Sequence, residues 1–243
     1  FTARIAVSLL SLSLLGPVAA QATDLGKELR LAAMVGDADA VETLLNQGAP
    51  VDAANEFGKT ALMMAAETDM AEQLLFRGAD PKASDKEGRS SLMQAADKGH
   101  PQMVKLLVEG GADLEARDKS GETALIIAAD AGQIEVAREL IALGANVNAQ
   151  DDSGATALIW AVGQGRGDLV NLLLERGADP NLQDADGLTA LMEAVNSGHN
   201  EVIQTLIEHR ADVQIKDTEG HTAADLARSK GNQAAITLLV KRP

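Results

Sequence analysis

The sequence predicts an all-α solenoid of stacked helix-turn-helix units with projecting hairpin turns. Three observations predict it. Gly88, Gly121, Gly154, Gly187 and Gly220 stand 33 residues apart, and a fixed period of about 20 to 50 residues marks units that must stack to bury their apolar faces. Each glycine opens a near copy of the same stretch. From Gly121 it runs Gly-Glu-Thr-Ala-Leu-Ile-Ile-Ala-Ala-Asp-Ala-Gly, then an apolar segment ending Glu-Leu-Ile-Ala-Leu, then Gly-Ala-Asn-Val-Asn-Ala. Finally, only 2% of the 243 residues are aromatic, with three Phe, one Trp and no Tyr. The core must therefore be built from Ala, Leu, Ile, Val and Met, which suits closely stacked helices.

The elements follow in chain order. Residues 1–22 read as a cleaved signal peptide: Arg4, an apolar run from Ile5 to Leu15, a Gly16-Pro17 break, then small residues. Cleavage is expected after Ala20 or Ala22. An apolar run of 11 residues is shorter than the roughly 20 that span a bilayer, so export is expected rather than anchoring. The chain begins with Phe1 rather than Met, and an earlier start is expected.

Within each unit, a hydroxyl stands two residues after the glycine, at Thr60, Ser90, Thr123, Thr156, Thr189 and Thr222, where it can cap a first helix. Leu62, Leu92, Leu125, Leu158 and Leu191 follow, with Ala65, Ala95, Ala128, Ala161 and Ala194 three residues later on the same helix face. Small Ala side chains allow close helix approach. Gly99, Gly132, Gly165, Gly198 and Gly231 should end that helix in the left-handed conformation.

The second helix carries the pairs Leu107-Val108, Leu140-Ile141, Leu173-Leu174 and Leu206-Ile207, expected to bury against both neighbouring units. Gly48, Gly78, Gly111, Gly144 and Gly177 should end it, whereas Arg210 holds the next equivalent place and predicts a less regular exit.

Irregular units mark the ends. Leu25 replaces the turn glycine in the first unit, and the last stops after Leu238-Leu239-Val240. Terminal units of a solenoid differ because one face meets water. The repeat domain is placed at 24–243, with an N-terminal cap at about 24–54, five full units at about 55–216 and a C-terminal cap at about 217–243. From Gly58 to Gly88 the spacing is only 30. The loss falls between Ala66 and Leu74, predicting a shortened turn or a late second helix.

These residues resemble the ankyrin repeat family, with its Gly-x-Thr-Pro-Leu-His-x-Ala-Ala first-helix pattern and Gly-Ala-Asp-Val-Asn-Ala hairpin. Two departures are systematic. Ala61, Ala124, Ala157 and Ala190 stand for the family proline, while Met63, Met93, Ile126, Ile159 and Met192 stand for its histidine. The family's hydroxyl-to-imidazole hydrogen bond should be replaced by apolar packing.

Charge and chemistry exclude other classes. The net charge of −15 and pI near 4.6 argue against nucleic acid, whose phosphates demand a Lys/Arg footprint, and against anionic membrane surfaces. There is no cysteine, so neither disulfides nor thiol chemistry is available. His100 and His199 sit before second helices, with His209 and His221 elsewhere, and none pairs at metal-ligand spacing. No metal, no cofactor and no catalytic group is expected. Solvated charge is the better account of the many carboxylates.

The resemblance implies protein binding through the hairpin tips and the concave face of the first helices. Apolar residues at those positions are Phe57 and Leu188 beside turn glycines, and Met64, Ile127 and Trp160 six residues after them. Around them lie Arg89, Glu122 and Asp130. Ile127 and Trp160 occupy equivalent places in adjacent units and are expected to centre the site as exposed anchors. The alternative is that they fold down and complete the core between units.

The expected protein is therefore a monomeric, non-enzymatic interaction module in the bacterial periplasm, similar to small exported ankyrin proteins. It would bind an unidentified protein partner and, once the signal is cleaved, no membrane. Inhibition or immunity, or support of a periplasmic enzyme, would be its task. A secreted effector binding host proteins is the alternative.

Overall fold

A computed structural model describes residues 24–240. The segment read as a signal peptide lies outside the described residues. Among the described residues, fourteen helices follow one another in seven antiparallel pairs: α1 (Leu25–Val35) with α2 (Ala38–Asn46), α3 (Ala61–Met64) with α4 (Thr68–Phe76), α5 (Ser91–Lys98) with α6 (Pro101–Glu109), α7 (Ala124–Asp130) with α8 (Ile134–Ala142), α9 (Ala157–Gly163) with α10 (Gly167–Glu175), α11 (Ala190–Ser197) with α12 (Asn200–Glu208), and α13 (Ala223–Ser229) with α14 (Gln233–Val240). Each first helix packs on the next first helix from α1 to α13, and each second helix on the next from α4 to α14. Two layers result, joined at one edge by the hairpins.

The caps work as their chemistry requires. The hydroxyls of Thr60, Ser90, Thr123, Thr156, Thr189 and Thr222 each accept from the backbone N–H three residues on, at 3.3–3.5 Å. At the first unit Asp24 takes this part, accepting from the Lys27 N–H at 3.0 Å. Met63, Met93, Ile126, Ile159 and Met192 are all buried where the family carries histidine. Met93 goes further: its sulfur accepts from the Ser90 N–H at 3.5 Å, closing a box around the cap.

A single core runs the length of the stack. Leu29, Leu62, Leu92, Leu125, Leu158 and Leu191 form its first-helix row and are at most 4% exposed. Of the second-helix pairs, Leu107, Leu140, Leu173 and Leu206 are fully buried, as is Leu174, whereas Val108, Ile141 and Ile207 are half-buried. The first member of each pair is buried in the core, and the second, half-buried in three of the four, packs against it.

The structure corrects two local expectations. The three residues missing after Gly58 are taken from the first helix: α3 stops at Met64 after a single turn, while α4 keeps the nine residues of its counterparts. The loss is close to one helical turn, so α4 still faces the core, and the Ala66 N–H bonds the Ala33 carbonyl of the preceding unit at 3.2 Å. Arg210, expected to give an irregular exit, adopts φ 68° in the same left-handed region as Gly177 at 90°. The tight exit is kept, with a side chain where the backbone favours glycine.

The hairpins are stitched by backbone bonds between units. The N–H groups of Lys86, Lys119, Asp152, Ala185 and Thr218 donate to the carbonyls of Phe57, Glu87, Ser120, Ser153 and Asp186 at 2.8–3.0 Å. Gly187 shows why glycine is required there: φ is 78°, and an added Cβ would lie 2.7 Å from the Thr218 backbone nitrogen of the next finger.

Candidate functional site

Every finger is anchored by one Asx residue. Asn55, Asp85, Asp118, Asp151, Asp184 and Asp217 each use Oδ1 to accept from the N–H groups two and four residues ahead, at 2.8–3.1 Å. That leaves Oδ2 of each aspartate free for another task. In Asp151 it accepts from the indole Nε1–H of Trp160 at 2.9 Å. In Asp118 it lies 4.0 Å from Arg89, and in Asp217 3.5 Å from His221. In Asp85 and Asp184 it takes no hydrogen bond or ion pair among the described residues; the positions equivalent to Trp160 in those units are Gln94 and Glu193.

Trp160 is half-buried and packs on the core with one side, while the other forms a wall of a cavity of about 330 Å³. Two small residues that coincide in this unit open that space. Ala155 stands where other units carry Lys59, Arg89, Glu122, Leu188 or His221, and Gly163 stands where they carry Asp97, Asp130, Asn196 or Ser229. Ile159, Asp184 and Glu193 also line the cavity. The Ser197 hydroxyl holds one Glu193 oxygen.

The remaining predicted residues distribute along the same first-helix face. Ile127 is the correction: it is 4% exposed and belongs to the core. Its helix α7 lies between α5 and α9, whose matching positions carry the longer side chains Gln94 and Trp160. Ile127 is therefore not the exposed anchor expected, and completes the core between units, as the alternative had it. Leu188 is half-buried against the core, Met64 is half-buried at the end of α3, and Phe57 is 61% exposed on its finger. Phe57 lies three units away from Trp160 in the stack and does not share its cavity.

Arg89, Glu122 and Asp130 lie on the two units that precede that of Trp160. Arg89 lies 3.7 Å from Asp97 and 4.0 Å from Asp118. Asp130 accepts from the Gln164 side chain at 2.7 Å. Partial burial pushes the Glu122 carboxyl above the usual carboxylate range; Asp118 adds to this, Arg89 opposes it, and Asp151 and Asp130 contribute further. The face is thus negative from the fourth unit to the sixth.

Sequence reasoning missed several members. Asp151, Asp184 and Glu193 read as solvated carboxylates, and the signal that could have found their cavity was the coincidence of Ala155 and Gly163 in one unit. Leu31, Met34 and Val35 on α1, at 45%, 46% and 70% exposure, were also missed. Leu31 shares the register of Met64 and Trp160, and the short α3 leaves the end of α1 uncovered.

No group of side chains able to hold a metal ion occurs among the described residues. No helix among them is long and apolar enough to cross a membrane.

Such a stack of capped helix pairs and fingers defines a repeat scaffold whose surface is built for contact with other macromolecules. The family described as ankyrin repeats in three copies matches residues 29–118, 67–151, 92–184 and 158–243, and the chain belongs to it. A solved structure of the ankyrin repeat domain of Bcl-3, described as a unique member of the IkappaB protein family, is 31% identical; the match covers 87% of this chain and 97% of that one, with a TM-score of 0.79. No curated protein matches the sequence. Ankyrin repeats are protein-interaction modules and the fold is a non-enzymatic scaffold.

Proposed function

We propose that this chain is a monomeric, non-catalytic binding module of the bacterial periplasm that holds one partner protein on its first-helix face and finger tips. Its task is to inhibit, confer immunity to, or support a periplasmic enzyme. Export is supported by the Arg4, Ile5 to Leu15 and Ala20-Gln21-Ala22 pattern. The observation that carries binding is Trp160: the only Trp in the chain, half-exposed on the face the family uses and fixed through its indole nitrogen to the buried Asp151. A large aromatic held in one orientation loses little freedom when a partner closes over it, and such residues dominate interface energies.

The test is affinity capture from a periplasmic extract with the parent and a folded Trp160→Ala variant, bound proteins being identified by mass spectrometry. A protein retained by the parent and lost by the variant is the expected result. Equal capture by both removes Trp160 from the site. Recovery of the protein itself outside the cell, rather than in the periplasm, favours a secreted effector.

A further inference from the structure

We propose that the cavity beside Trp160 is a seat for one cationic side chain, an arginine, on the partner protein. This rests on the binding reading above and names the chemistry of its partner. The walls of the seat differ in kind. One lining group is the Trp160 indole; others are the carboxylates of Asp184 and Glu193. An aromatic face and a carboxylate pair select a cation, and a planar guanidinium can stack on the first while its N–H groups reach the second.

The two carboxylates are arranged for this rather than merely abundant. The turn at Asp184 needs only Oδ1, which accepts from the Asp186 and Leu188 N–H groups at 2.9 and 2.8 Å. Its other oxygen has no indole to satisfy it, in contrast to Asp151 one unit earlier. Glu193 occupies the register position of Trp160 itself, one helix along the stack. Gly163 keeps the space open: a Cβ there would sit 3.3 Å from Glu193 Oε1. The volume, about 330 Å³, is at the small end of the roughly 300–1,000 Å³ of ligand pockets and has room for a guanidinium side chain. The chain's charge of −15 favours approach of a basic surface.

The experiment uses the unique indole as its reporter. The Trp160 Nε1–H resonance of the 15N-labelled protein is followed by NMR while acetyl-Gly-Arg-Gly-amide is added, and again with the uncharged isostere acetyl-Gly-citrulline-Gly-amide. The arginine peptide should shift the resonance and bind at least about tenfold more tightly than the citrulline peptide. A double variant, Asp184→Asn with Glu193→Gln, should bind both peptides alike. Asp184→Asn keeps the finger intact, since Asn55 makes the same two bonds in its own unit. Equal affinity of the two peptides for the parent, an unmoved indole resonance, or preference surviving in the double variant overturns the proposal. Those outcomes leave the binding reading standing if Trp160→Ala still loses its captured partner. Capture unaffected by Trp160→Ala removes the binding reading instead, while the peptide comparison still decides the seat.

Discussion

The indole nitrogen of Trp160 donates to Oδ2 of Asp151 at 2.9 Å, tying a half-buried aromatic of the first-helix face to the residue that folds the adjoining finger. Asp151 is 7% exposed, and its Oδ1 already serves the Ser153 hydroxyl and two backbone N–H groups. A single carboxylate thereby fixes both the finger and the anchor.

Asp151→Asn separates these two duties. The side-chain oxygen of Asn can still fold the finger, as Asn55 does, but its amide nitrogen cannot accept from Trp160. We expect a loss of about 1.5 kcal/mol, the scale for a hydrogen bond to a charged group. Denaturant unfolding measures the loss, and a red-shifted Trp160 emission reports that the indole has been released.

Arg210 offers the opposite case. Its φ of 68° is strained for a side-chain-bearing residue by about 1–2 kcal/mol, part of which glycine returns through greater freedom of the unfolded chain. Arg210→Gly should raise stability by about 0.5–1 kcal/mol. A variant that unfolds at the same or lower denaturant concentration would show that the Arg210 side chain contributes contacts outweighing its backbone strain.

Gly187 and Gly220 share a positive φ, at 78° and 87°, but only Gly187 faces the backbone of a following finger. Gly220→Ala should cost about 1 kcal/mol from backbone strain alone. Gly187→Ala must in addition displace Thr218 and break the bond from its N–H to the Asp186 carbonyl at 3.0 Å. The comparison of the two melting transitions tests the finger ladder as a source of stability; equal losses would contradict it.

Glu122 sets a pH dependence. Its carboxyl is raised above the usual value of 4.5, chiefly by burial and then by Asp118. The folded state therefore holds this proton more tightly than the unfolded state, so ionisation of Glu122 lowers stability as pH rises through its folded pKa. Glu122→Gln should be more stable than the parent at neutral pH, and the gain should vanish once the pH falls well below 4.5. Unfolding at both pH values reads this directly. A gain that persists in acid would point to packing instead of charge.

The fold was legible because its information is local and repeated. Helix caps such as Thr123, turn glycines such as Gly154 and the leucine row from Leu62 to Leu191 each act within a few residues, and the 33-residue period forces equivalent elements to stack. The short α3 was visible only as a change in spacing: which helix yields depends on whether α4 keeps its face toward the core.

The site was legible only in part. Register placed Trp160 and Ile127 in one row but could not tell the exposed member from the buried one, since that depends on how the neighbouring helices α5 and α9 pack on α7. Nor could it show that Asp151 has an oxygen taken by an indole while Asp184 lines the cavity beside it. The period, the caps and the class of scaffold were determined by the sequence itself, because each arises from contacts between near neighbours along the chain. The burial of Ile127, the left-handed turn at Arg210 and the space beside Trp160 were decided by the tertiary structure alone, because each depends on what the adjoining unit places against it.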